Sequence, residues 1–319
     1  MRGLLKTRSA GNQLLVVFCI IIASLFIVGL VGQYVVMSIS GMSMEQLKDM
    51  DKWDFSKSST IVAMRGLQVV NFIAFLLVPS LAAGWLFSTN TKAYLQLERP
   101  SNSGYWMAGV LIMIVALPLA QWLGVMNRNI SFPPDMASWM KESEDRVART
   151  MKGLLSHHTP LDLVANLFFI ALFAGVGEEL LFRGVIQRLL TRIFKSPWAA
   201  IIVTAALFSA VHLQFYGFFP RLLLGILLGA MFWYSGSLWV AIAAHFIYDA
   251  LLVILAYYNP QLLESQEQPV SAQALALMGS VSFLLVVIFI EWMRRRSTAT
   301  YAAVYGAEDE AVRKPFQRN

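Results

Sequence analysis

Apolar residues in this chain come in blocks of about twenty, and that recurrence limits the possible folds more than any other feature. The blocks lie near residues 14–36, 66–87, 105–124, 160–187, 197–214, 219–234, 237–258 and 273–293. A helix rises 1.5 Å per residue, so ~20 apolar residues cross a hydrocarbon core of about 30 Å. Inside a bilayer every backbone N–H and C=O needs a protein partner, which a helix supplies from within its own segment. Composition points the same way. Of 319 residues, 57% are hydrophobic and 14% charged, against roughly 45–50% and about 25% in soluble domains. A soluble cytosolic enzyme, a secreted module and a nucleic-acid-binding domain are poor fits, and no nucleic-acid partner is expected. The expected fold is all-α: an integral, polytopic membrane helix bundle of about eight transmembrane helices. The sixth block is short and is interrupted by Gly225 and Gly229, with Gly236 just beyond it.

Basic residues set the orientation. Arg2, Lys6 and Arg8 precede the first block, which runs well past the ~7–15 residues of a signal-peptide core, so an uncleaved first helix is expected. Eight spans put both termini on one side, where fourteen Lys and Arg fall, against ten on the other. Cytoplasmic loops collect Lys and Arg. Both termini are therefore expected in the cytoplasm, and in a bacterium the bundle would lie in the inner or plasma membrane. The net charge of +6 then belongs to topology rather than to binding a polyanion. Cys19, the one cysteine, lies in the first block and leaves no disulfide framework or cysteine metal site. Four regions follow: 1–124 with the first three transmembrane helices, 125–158 as an outer loop, 159–258 with helices four to seven, and 259–319 with the last transmembrane helix and a mobile cytoplasmic tail. The outer loop carries an amphipathic stripe of Met136, Trp139, Met140, Val147, Met151 and Leu154, able to rest on the membrane interface or to cap the bundle.

Ionisable residues inside the blocks are the next constraint. A charge at the bilayer centre costs ~2.5–3.5 kcal/mol on insertion scales, so such residues mark candidate functional sites. The fourth block holds Glu178, Glu179 and Arg183. Glu179 and Arg183 are four apart with the acid first, the favoured order for a helical ion pair. Glu178 is left over, about 100° around an α-helix from its neighbour and without an obvious local partner. Phe208 and His212 lie in the fifth block, His245 and Asp249 in the seventh. A lone intramembrane histidine is often a hydrogen-bonded packing residue, but these two accompany a spare carboxylate. The spacing matches their depths, since Glu178 lies seventeen residues before the turn near Lys195 and His212 seventeen after it.

The three motifs Glu-Glu-x-x-x-Arg, Phe-x-x-x-His and His-x-x-x-Asp, in this order on successive membrane helices, resemble those of the CPBP family of CAAX-type prenyl endopeptidases, bacteriocin-processing proteins and Abi-type immunity proteins. The similarity runs from about residue 160 to 258. It implies an intramembrane endopeptidase whose functional positions are Glu178, Glu179, Arg183, Phe208, His212, His245 and Asp249, acting on a hydrophobic or lipidated peptide or protein among membrane lipids. In that reading Glu178 is the general base, His212 holds the water, His245 donates to the oxyanion and Arg183 holds Glu179, while Phe208 packs the substrate pocket. The family's eukaryotic members carry Asn where Asp249 stands. Asp249 therefore either donates as a protonated acid or orients His245 from behind. Glu178, His212 and His245 could also form a His₂Glu zinc set, although no H-E-x-x-H occurs and metal-independent chemistry is preferred. The competing classes are a non-catalytic immunity or scaffold protein and a proton-coupled transporter.

The charge pattern carries its own test. In a Cys19→Ser background, Lys141→Cys should react with a membrane-impermeant thiol reagent on intact cells, and Lys92→Cys only after permeabilisation. The reverse pattern inverts the topology.

Overall fold

A computed structural model of the chain describes residues 2–155, 157–263 and 271–313. Lys314 and Arg318, counted above among the cytoplasmic charges, lie outside the described residues. Ten helices carry the architecture: α1 (Ala10–Ser40), α2 (Ser58–Phe87), α3 (Gly104–Arg128), α4 (Pro134–Leu155), α5 (Pro160–Phe194), α6 (Pro197–Ala210), α7 (Phe215–Ser235), α8 (Leu238–Tyr258), α9 (Ala272–Arg296) and α10 (Tyr301–Arg313). No strand occurs among the described residues. Among the described residues, seven helices are long and apolar enough to cross a membrane: α1, α2, α3, α5, α7, α8 and α9.

That is one fewer than the eight apolar blocks, and the one that falls short is not the glycine-interrupted sixth. It is α6. Ser196 caps its start, accepting from the Ala199 N–H at 3.4 Å, and Pro197 occupies the first turn. The helix ends at Ala210, where the chain turns with Leu213 at φ +53°. Its fourteen residues span only about 21 Å at 1.5 Å each, short of the ~30 Å core. The apolar run 197–214 continues past the helix, so His212 sits in the turn beyond it rather than on a helical face.

Helix α5 starts as its sequence predicts. Thr159 accepts from the Asp162 N–H at 3.2 Å, Pro160 follows the cap, and Asp162 pairs with Arg65 of α2 at 2.9 Å. Two side chains one helical turn apart then fasten α5 to α7: Arg183 donates to the Gly225 carbonyl at 3.1 Å and Gln187 to the Gly229 carbonyl at 3.0 Å. The glycine at 225 also lets α6 approach, because a Cβ there would fall 3.1 Å from the Ala205 Cα.

Helix α4 caps the bundle through one edge of its stripe. Met140 and Leu154 are buried, whereas Met136, Trp139 and Met151 stay exposed. From α4, Ser143 donates to the Leu213 carbonyl at 2.8 Å, and Glu144 accepts from the Tyr216 N–H at 3.1 Å and the Gln214 amide at 3.2 Å. Asn127 of α3 donates to the Phe215 carbonyl and accepts from the Phe219 N–H, both at 2.8 Å. The turn after α6 is thus held by polar contacts where solvent would be scarce.

The expected mobile tail is replaced, over its described part, by a docked helix. In α10, Tyr305 is 1% exposed and lies with its ring 5.1 Å from the Arg188 guanidinium and stacked on Trp233. Glu308 pairs with Arg188 and Arg192, and Asp309 with Arg192 and Lys195. Burial pushes the Asp309 carboxyl up, but hydrogen bonds from Lys195 and Tyr301 outweigh it and hold the group below the ordinary carboxylate range. Mixed charge in the tail suggested solvation, but its partners lie more than 100 residues upstream and leave no local pattern.

Candidate active site

Backbone winding positions the two carboxylates. From Ala174 to Gln187, α5 widens to π-helical geometry, as does Phe72–Leu77 of the neighbouring α2. Hydrogen bonds then run i to i+5, and such widened turns concentrate at functional sites. A wider winding turns less per residue than an α-helix, so Glu178 and Glu179 diverge less than the 100° expected from sequence. Both can face one partner. That partner is brought in by Gly175, where a Cβ would lie 3.0 Å from the Phe246 nitrogen. With no side chain there, the α5 and α8 backbones meet one residue from His245.

Glu179 and Arg183 are wholly buried and joined at 2.7 Å, and the Arg183 guanidinium lies 4.8 Å from the centre of the Phe208 ring. The same Glu179 Oε1 lies 2.8 Å from His245 Nδ1. An ionised carboxylate only accepts, so Nδ1 carries the proton and donates, and the ring is oriented from behind by Glu179. Asp249 does not take that place. Its Oδ2 lies 3.3 Å from Nε2, on the opposite edge of the imidazole. The orienting role weighed for Asp249 thus falls to Glu179, because both residues reach His245 but from different sides.

Glu178 occupies the space between the two imidazoles. Its Oε2 lies 3.8 Å from His245 Nε2 and its Oε1 3.9 Å from His212 Nε2. The side chain is 20% exposed, and that of His212 28%. His212 Nδ1 donates to the Phe208 carbonyl at 2.8 Å, which turns Nε2 toward Glu178. Phe208 itself is buried, its ring packed edge-on between Arg183, His212 and His245. All seven residues singled out in the sequence therefore converge. The three weighed as zinc ligands do not form a metal-holding group, and no set of three His, Cys, Asp or Glu does so among the described residues.

Sequence reasoning did not find the residues that brace the turn following His212: Asn127, Ser143, Glu144, Gln214 and Arg221. The first three lie some seventy to ninety residues from the turn they hold, and none falls within a motif.

Residues 160–251 match the family model described as type II CAAX prenyl endopeptidase Rce1-like. Over this segment the chain is similar to the Rce1-like family. The segment begins at the first residue of α5 and ends two residues past Asp249, so the Rce1-like region contains every converging side chain. The chain is also similar to the uncharacterized protein YpbD of Bacillus subtilis (strain 168), at 35% identity over 132 residues. That alignment covers 41% of this chain and 65% of YpbD, a little under two thirds of the relative's length. No solved structure matches.

The geometry separates two carboxylates that the sequence sets side by side. Removing one partner of a buried ion pair costs about 3–5 kcal/mol, because the other charge is left uncompensated. Glu179→Gln should therefore lower the thermal unfolding temperature of the detergent-solubilised protein markedly. Glu178→Gln, which leaves the Glu179 contacts to Arg183 and His245 in place, should leave it near the wild-type value. Equal losses would contradict the assignment.

Proposed function

We propose that the chain is an intramembrane endopeptidase of the CAAX type, hydrolysing a peptide bond in a hydrophobic or lipidated substrate with water activated by Glu178. The observation that carries this reading is the pair of 3.8 and 3.9 Å separations between the Glu178 oxygens and the imidazole Nε2 atoms. These are too long for direct hydrogen bonds of ~2.7–3.2 Å, but a water can lie within about 2.8 Å of both partners at such a separation. Part exposure leaves the group reachable by water from a recess within an apolar bundle.

The chemistry follows from donor and acceptor roles. With His212 Nδ1 committed to the Phe208 carbonyl, the neutral ring accepts a water hydrogen at Nε2. Glu178 accepts the other, which leaves a water lone pair for the scissile carbonyl. As the C–O bond forms, the proton passes to Glu178 and then to the departing amine as the C–N bond breaks. His245, whose Nδ1–H is held by Glu179, donates from Nε2 to the oxyanion as an imidazolium whose charge Glu179 and Asp249 offset. Glu179 and Arg183 are positioning residues in this scheme. Membrane lipids form the surroundings, and both termini are assigned to the cytoplasm on the charge distribution.

Glu178→Gln keeps the shape and removes the base. Comparative peptidomics of membranes carrying wild type or the variant should show uncut substrate accumulating, with cleavage reduced at least about 10²-fold. Unchanged peptides with intact immunity would point to a scaffold, and loss of coupled flux to a carrier.

Asp249 faces the side of His245 where the oxyanion forms, where an amide can also donate. Asp249→Asn should retain cleavage within about tenfold, read as kcat/KM on a substrate identified by the peptidomics. A collapse in rate would mean that the carboxylate charge itself is required.

A further inference from the structure

Three cations at the far end of α5 have no part in this scheme. Arg188 and Arg192 are 5% and 4% exposed and lie one helical turn apart, with Lys195 in the turn that follows. Arg188 Nη1 donates to the Tyr94 carbonyl at 3.1 Å, and its guanidinium lies 4.4 Å from the centre of the Tyr94 ring. Arg192 Nη1 donates to Gln13 Oε1 at 3.2 Å. These acceptors are neutral and belong to the bundle. The carboxylates that meet the two guanidiniums come from α10: Glu308 pairs with both, and Asp309 reaches Arg192 Nε at 3.3 Å and also pairs with Lys195.

A socket built by the bundle is thus filled by an element that can leave it. Residues 297–300 link α9 to α10, and α10 has thirteen residues. A helix that short is marginal in water unless it packs against something. Its buried anchor is Tyr305, whereas Ala302 and Ala303 are exposed and the Glu308 side chain is 36% exposed. The fit is also incomplete. Among the described residues, the buried Arg188 Nε and the hydroxyl of Tyr94, whose ring Arg188 covers, have no hydrogen-bond partner. A phosphate group, with more oxygens than a carboxylate, offers such donors further acceptors. The depth is that of a lipid headgroup. Gln13 lies in the first turn of α1, Lys195 just past the end of α5, and Trp233, which stacks on Tyr305, two residues from the end of α7. All three helices are long and apolar enough to cross a membrane.

We propose that Arg188, Arg192 and Lys195 form a binding socket for the phosphate of an anionic phospholipid headgroup, and that α10 occupies it with Glu308 and Asp309 as a tethered competitor. A neutral leaflet leaves this clasp closed. An anionic leaflet presents many headgroups at the depth of the socket, outcompetes the single tethered helix and releases it. The proposal concerns the response of the chain to its membrane and is independent of the hydrolase reading.

The test places the full-length protein in nanodiscs of phosphatidylcholine, alone or mixed with phosphatidylglycerol, at one ionic strength, and follows hydrogen–deuterium exchange over residues 301–313. Exchange should be slow in neutral discs and about tenfold or more faster in anionic ones. Glu308→Gln with Asp309→Asn should make it fast in both. Native mass spectrometry of the protein released from anionic discs then counts retained phosphatidylglycerol. The double variant should hold more than wild type, and Lys195→Gln added to it should hold less. Lys195 is 51% exposed, so an unaltered unfolding temperature is expected for that change. Exchange that ignores lipid charge overturns the proposal. So does faster exchange without retained lipid, or with retention that Lys195→Gln leaves unchanged, the mark of an acidic helix merely repelled by an anionic surface. Inorganic phosphate that frees α10 in neutral discs as fully as the anionic lipid does overturns the headgroup assignment.

Discussion

One carboxylate oxygen, Glu179 Oε1, is shared by the Arg183 guanidinium and the His245 imidazole in a space closed to solvent. The rest of the site depends on that contact. Arg183 carries it to α7 through the Gly225 carbonyl, and His245 carries it to α8, so three helices meet at a single atom. Burying such a pair brings little net stability, because desolvation offsets most of the attraction. What the contact supplies is a defined geometry: it fixes which nitrogen of His245 bears a proton and where the other one points. Glu178 stays outside this contact, between the two imidazoles.

A second constraint is length. A helix of fourteen residues is too short to cross the hydrocarbon core, so the chain turns after α6 before a full span is completed. A turn at that depth exposes backbone groups that lipid cannot satisfy. Asn127, Ser143 and Glu144 satisfy them from two other helices, and the amphipathic α4 is the roof this requires.

The charges divide by task. Those that hold helices together are paired: Arg65 with Asp162 at the start of α5, Arg183 with Glu179 at its middle, and Arg188 and Arg192 with the acids of α10 at its end. A string of ion pairs thus runs the length of the helix that bears Glu178. Glu178 is outside it, between the two imidazoles.

Much of this was legible in the residues alone. Apolar blocks of membrane-spanning length require helices, because no other local structure satisfies a backbone in lipid. Glu178, Glu179, Arg183, His212, His245 and Asp249 stand out because ionisable groups do not belong in such blocks, and equal distances from the Lys195 turn put Glu178 and His212 at one depth. The helix start at Thr159 and Pro160 was equally local. Tertiary structure decided the rest. The π-helical winding that aims both glutamates at one imidazole leaves no periodic signal in an apolar run, and the end of α6 is hidden because the apolar residues continue beyond it. The side of His245 that Asp249 occupies, the docking of α10 and the bracing by Glu144 all depend on partners far away in the chain. Composition and spacing report the solvent each residue needs; only packing selects which distant group supplies the missing charge or hydrogen bond.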